Sequence, residues 1–346
     1  MPGDVLERVT ATMTALVGLP STSQHEDAVR DFLRQRMIAA GFTPTTDGGG
    51  NLIVLVPGTA GREHAAPLLL NAHMDRVPPG LACMPSVQEG VMYGDGTTNL
   101  GADDAAGITI ILLAVEALIE RNLTHGPLLL LFTVAEEIGL LGARAFDPTP
   151  WQVREGIVFD NAGEPGAVVT RGAAYLAFDA VLRGRSGHPG KDLAGTASAI
   201  AMFLNLHLPL GSLDDGATRL SLGQISGGTA RNAIPAEVTV RGELRTLLGA
   251  DEQARWVDKI TTAFHEAAAS CGGAATVTFD PHGTSYAIDE QEPLVQAYRQ
   301  AWEARGRHFE TMATFVGSDA NALRDRLRVF TVSTGAMNEH TLDEHI

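Results

Sequence analysis

Two hydrophobic rhythms alternate along the first 160 residues. Segments 4–17 and 26–40 repeat apolar residues at helical spacing, and Gly41 stands where a helix commonly ends on a left-handed glycine. Short, largely apolar runs follow at 51–56, 67–72, 128–135 and 156–159. The first is closed by Pro57-Gly58, and the others by His73, Glu136-Glu137 and Asp160. Residues 105–120 read as a buried helix. Such largely apolar strands separated by helices predict a mostly parallel sheet flanked by helices on both faces. After Arg171 the rhythm changes. Segments 175–183, 218–226 and 236–246 alternate apolar with polar, as half-exposed antiparallel strands do, and are joined by helices at 193–207 and 251–269 and a strand at 274–280. That β-α-β-β-α-β order is a self-contained two-layer unit. A helix at 291–304 and a strand at 328–333 resume the first pattern. The expected fold is α/β: a domain of residues 1–170 and 281–346, with a two-layer α+β domain inserted at 171–280.

Composition narrows the function. The 346 residues suit about two domains of ~150 residues each. With 25 Lys and Arg against 41 Asp and Glu, the formal charge is −16, which argues against a nucleic-acid backbone as partner. At 45% apolar and 19% charged residues the chain can build a substantial core. Its cysteines, Cys83 and Cys271, make no disulfide framework, so a reducing cytoplasm is the expected compartment. The first residues carry acids early and no basic segment before an apolar one, unlike a secretory signal. The longest apolar stretch, 108–118, is interrupted by Glu116 and falls short of the ~18 residues of a membrane helix, so no membrane partner is expected.

The chemistry lies in where the apolar strands stop. His73, Glu136-Glu137 and Asp160 each follow a buried run directly, Asp103 sits in a glycine-rich loop opening a helix, and His340 follows the strand at 328–333. In open α/β sheets, sites form beyond the carboxyl ends of the strands, so these residues are expected to converge. Imidazole nitrogen and carboxylate oxygen without thiolate is the donor set of a hydrolytic zinc site or a related divalent ion. One histidine and one carboxylate per ion, with a shared carboxylate, suits two ions about 3.5–4 Å apart. Of two adjacent glutamates, one can bind metal and the other accept a proton from water. His73 and Asp75, two apart on an extended segment, point the same way, as a carboxylate orienting an imidazole requires. Each residue also has a plainer reading. His73 alone is a core histidine, Asp103 and Asp104 alone are helix caps, Asp160 alone ends a turn, and His188 before Pro189-Gly190 decorates one. His345 is expected to be a surface residue.

The ordered set HMD (73–75), GADD (101–104), AEE (135–137), FDNAGEPG (159–166), GRSGHPG (184–190), GGTARNAIP (227–235), GSDAN (317–321) and NEHT (338–341) resembles the two-zinc exopeptidases. That family includes peptidase T, glutamate carboxypeptidase, aminoacylases and succinyl-diaminopimelate desuccinylase. GADD, GSDAN and AEEIGLLGA look most like the peptidase T branch. The resemblance implies that His73 and Asp160 bind one zinc, Glu137 and His340 a second, and Asp103 both, with cobalt or manganese as substitutes. It implies Asp75 as the orienting residue and Glu136 as general base. The insert becomes a lid that also dimerises. His188 then matches a histidine reaching the partner subunit's site, and Asn232 and Arg245 match residues gripping the substrate. The implied activity is hydrolysis of the N-terminal bond of short peptides. Alternatives are an N-acyl amino acid amidohydrolase or carboxypeptidase on the same site, or an inactive peptide-binding relative.

Overall fold

The computed structural model describes residues 2–191 and 193–346. The chain divides into two units. One runs to Thr170 and resumes over Ala287–Met312 and Ser318–Ile346; the other is Arg171–Tyr286 with Ala313–Gly317. The expected return at residue 281 comes later because the strand Ala274–Gly283 runs on through a bulge between Pro281 and Gly283.

The first unit is built on a mixed sheet. Its strand order is Thr45–Thr46, Leu52–Val56, Leu128–Thr133, Leu68–His73, Glu155–Asn161, Arg328–Ser333, Ala167–Gly172. The four from Leu128–Thr133 to Arg328–Ser333 are parallel, as their largely apolar sequences predict. Leu52–Val56 corrects the expectation, because it pairs antiparallel with Leu128–Thr133. A strand covered on both faces is apolar whichever way it runs, so composition does not reveal its direction. Ala167–Gly172, antiparallel to Arg328–Ser333, was not anticipated; its apolar stretch is only three residues long. The helix Ala102–Glu120 packs against Leu68–His73 and Glu155–Asn161. Gly107 permits that approach: a Cβ there would lie 2.3 Å from the Phe159 carbonyl oxygen and 2.4 Å from Asp104 Oδ1. The carboxyl ends of the parallel strands therefore present His73, the turn to Glu136 and Glu137, Asp160, and the segment leading to His340.

The second unit is a five-stranded antiparallel sheet, ordered Gly211–Leu213, Thr218–Gly227, Glu237–Thr246, Ala174–Arg183, Ala274–Gly283. Its inward residues Phe178, Leu182 and Val240 pack on Trp256, Ile260 and Phe264 of the helix Ala250–Ser270. The helix expected over 193–207 shrinks to Ala199–Leu204. Gly195 has a left-handed φ of 78°, and the Ser198 hydroxyl accepts the Ala201 amide at 3.2 Å, so the helix begins only after Ser198. Among the described residues no helix is long and apolar enough to cross a membrane.

Candidate metal centre

Five separate segments of the first unit bring their side chains to one point. Asp103 is the hinge of the arrangement. Its Oδ1 lies 2.9 Å from His73 Nε2, and its Oδ2 lies 3.1 Å from His340 Nε2. His73 Nε2 is also 3.6 Å from Asp160 Oδ1, and His340 Nε2 is 3.1 Å from Glu137 Oε1. One carboxylate thus turns each oxygen to a different imidazole, and each imidazole has a second carboxylate beside it.

The turns carrying these groups are unusual and firmly held. Ala135 and His340 have left-handed φ values of 52° and 63°, which side chains other than glycine adopt only when neighbours enforce it. Glu26 Oε1 accepts the Ala135 amide at 3.0 Å. Asp75 accepts the Glu136 amide at 3.0 Å, the Glu137 amide at 3.3 Å and the Ser23 hydroxyl at 2.6 Å. Asp75 also faces His73, whose Nδ1 lies 2.9 Å from its carbonyl oxygen and 3.4 Å from its carboxylate. The backbone oxygen is thus the nearer acceptor for an Nδ1 hydrogen, which leaves Nε2 free to bind a cation. Asp104 accepts the His73 amide at 3.1 Å and the Gly107 amide at 2.9 Å, so both its oxygens are engaged by backbone.

The sequence profile of peptidase family M20/M25/M40 matches residues 69–346. An uncharacterized protein of Bacillus subtilis (strain 168), YqjE, is 30% identical over 349 residues, spanning 98% of this chain and 93% of its own length. The chain belongs to this peptidase family. Among solved structures, the aminopeptidase PepT of Bacillus cereus ATCC 10987 superposes with a TM-score of 0.90 at 29% identity, covering 99% of this chain and 93% of that one. A tripeptidase of Staphylococcus aureus superposes with a TM-score of 0.93 at 26% identity, with the same coverage.

The M20/M25/M40 site passes a physical test for cations. Two sets of ligand atoms, from His73, Asp104 and Asp160 and from His73, Asp103 and Glu137, each lie within 4.8 Å of one another. Because Asp104 is committed to backbone amides, Asp103 is the better ligand beside His73 and Asp160. Asp160 Oδ2 is buried without a hydrogen-bond partner, a costly state unless a cation meets it. Each Nε2 faces two carboxylate oxygens but can carry only one hydrogen. Acids also outnumber imidazoles. Burial, and then the nearby Asp160, push Glu136 well above the usual carboxylate range. Burial raises Asp160 to about 7 and, with Asp103 and Asp160 nearby, Glu339 to about 9. Burial opposes charge on His73, yet Asp160, Asp103 and Asp75 together raise it well above the ordinary imidazole range. Hydrogen bonds to Asp103 and Glu137 raise His340 to about 10. Two divalent cations would relieve this crowding of like charge.

All seven residues expected at the centre, His73, Asp75, Asp103, Glu136, Glu137, Asp160 and His340, lie in this unit. His188, Asn232 and Arg245 lie in the other. His188 is exposed and its Nδ1 accepts the Gly190 amide at 3.0 Å; Asn232 is also exposed. Arg245 is half-buried, 4.4 Å over the Tyr175 ring, and its guanidinium donates to Glu243 at 3.1 Å and to the Phe315 carbonyl at 2.8 Å. His345, expected at the surface, is instead half-buried and stacked on Tyr93 with ring centroids 5.5 Å apart, because its backbone pairs with Met337. Asp319 was missed. It is buried, accepts Asn71 Nδ2 at 3.1 Å and the Thr133 hydroxyl, and leaves Oδ1 without a partner. Its place inside GSDAN was the available signal.

Cation binding must displace the protons that the metal-free site holds. At pH 6, below about 7 and about 10, Asp160 and His340 are both protonated. Apparent affinity should therefore climb from pH 6 to pH 8, by about tenfold per pH unit for each proton displaced. Cobalt titrations at three pH values check this; an affinity independent of pH contradicts it.

Proposed function

We propose that this chain is a cytoplasmic, metal-dependent exopeptidase that removes the N-terminal residue from short peptides, tripeptides foremost. The observation that carries the reading is the two-way orientation of Asp103 between His73 and His340. Similarity to the Bacillus cereus aminopeptidase and the Staphylococcus aureus tripeptidase supports the substrate class. In this reading His73 and Asp160 hold one cation, His340 and Glu137 another, and Asp103 both. Zinc suits the nitrogen and oxygen donors, with cobalt or manganese able to replace it.

Bound there, the cations supply a lowered pKa for water and polarisation of the scissile carbonyl. Glu136 is the residue placed to accept a proton from an attacking water and to deliver it to the leaving amine. Its burial favours the protonated form after transfer, which keeps the proton available for the second half of the task. Asp75 orients His73 and, by accepting the amides of Glu136 and Glu137, sets the base at a fixed place beside the ligand. His188 is assigned to the developing oxyanion, and Asn232 and Arg245 to the polar ends of the peptide.

The second unit suggests self-association. Ile225, Ile200 and Leu204 are 52%, 42% and 75% exposed, and Ile225 lies on the part of Thr218–Gly227 beyond its pairing with Gly211–Leu213. An open apolar strand edge of this kind calls for a cover, and a second copy supplies one. The chain is expected to sediment as a dimer and the double variant Leu204→Lys, Ile225→Lys as a monomer; a monomeric wild type overturns the assignment.

The general-base role is tested by Glu136→Gln. This variant should keep two ions per chain while kcat on a free-amine tripeptide falls by about 10²–10⁴. Full activity would remove Glu136 from the chemistry. In the same assay, cleavage of N-acylated amino acids but not of free-amine peptides would reassign the substrate.

A further inference from the structure

Glu344 is buried, 1% exposed, and takes no part in the reaction described above. Its Oε2 accepts the Gly101 amide at 2.7 Å and its Oε1 accepts the Asp103 amide at 3.0 Å. The second of these belongs to the residue that faces both imidazoles. The backbone there needs an outside acceptor. Gly101 is left-handed, with φ 77°, and Asp103 and Asp104 depart from helical geometry, so the chain has not yet entered its helix. Early helix amides have no acceptor of their own, and a carboxylate is a fitting one.

The opposite side of Gly101 is gripped as well. Arg76 is 3% exposed, and its Nη1 donates to the Leu100 carbonyl at 3.2 Å while Nη2 donates to the carbonyls of Val17 and Leu19. A Cβ at Gly101 would lie 2.6 Å from Arg76 Nη1. Residues 100–103 are therefore clamped from both sides, the carbonyl of Leu100 by a guanidinium and the amides of Gly101 and Asp103 by Glu344. The segment bearing Glu344 is itself anchored. Ile346 exchanges backbone hydrogen bonds with Met92 at 3.0 and 2.6 Å, and His345 exchanges them with Met337 at 2.9 and 3.1 Å. One short segment thus carries both His340 and the carboxylate that holds the backbone of Asp103.

We propose that Glu344 is a positioning residue for the metal centre. By fixing the backbone at Asp103 it lets one carboxylate serve two cations at once, and so links their affinities. The proposal rests on the dinuclear reading above. It differs from a merely structural role, in which Glu344 fills a helix entrance and stabilises the fold with no separate effect on metal.

The test uses the full chain and cobalt as the probe, with chelator competition reading both binding constants and urea unfolding reading stability. Glu344→Gln keeps the length but replaces one accepting oxygen with a donor, so one amide loses its partner. Glu344→Asp keeps the charge and shortens the reach. Val115→Ala, at a fully buried apolar position of the same helix, reports the effect of lost stability alone. Both Glu344 variants should bind both cobalt ions about 10–100-fold more weakly, as removal of a supporting group beside a ligand does, whereas Val115→Ala should lower the urea midpoint and leave affinity unchanged. Glu344 variants with wild-type affinity, or with no greater loss than Val115→Ala, overturn the proposal. Failure of both Glu344 variants to fold makes the role structural and overturns it too. A wild type that binds fewer than two ions instead removes the dinuclear reading, and the assignment of Glu344 with it.

Discussion

The site depends on one carboxylate satisfying two imidazoles. Asp103 stands 2.9 Å from His73 and 3.1 Å from His340, through different oxygens. These three residues come from three elements far apart in sequence, so the sheet, the helix Ala102–Glu120 and the segment after Arg328–Ser333 must all be correctly placed before the contact exists. The surroundings push the same way. Asp75, Glu136, Glu137 and Asp160 crowd the same buried space, and burying so many like charges is tolerable only with positive charge among them. In the metal-free protein that charge is protons, held on His73, His340 and the raised carboxyl groups.

A second regularity runs through the centre. The backbone that carries a functional side chain is held by a carboxylate from elsewhere. Glu26 grips the amide of Ala135, Asp75 those of Glu136 and Glu137, Asp104 that of His73, and Glu344 those of Gly101 and Asp103. Strand ends and helix entrances expose amides that regular structure does not satisfy, and a buried amide must find an acceptor. The same acids that fix the geometry also raise the local negative potential, so the scaffold that positions the ligands strengthens the site's demand for cations.

Much of this was legible in the chain for a simple reason. A strand buried on both faces is largely apolar sequence, so an ionisable residue at its end stands out. His73, Glu136 and Asp160 are visible on that ground, and the order of the short motifs adds Asp103 and His340. What stayed hidden depends on backbone. The direction of Leu52–Val56 leaves no mark on its composition. The start of the helix Ala199–Leu204 is set by a left-handed glycine and a serine cap within a stretch whose apolar spacing extends further. Glu344 acts on amides that any sequence would supply, so nothing in its neighbours announces its partner. Arg76 is hidden likewise, because it serves three carbonyl oxygens and no acidic side chain.

The central claim is that Asp103 is shared. X-ray absorption at the metal edge of the zinc-loaded protein measures it directly. A shared carboxylate should give a metal–metal scattering vector of about 3.5–4 Å, with nitrogen and oxygen neighbours and no sulfur. A first shell with no second metal within that range would contradict the account.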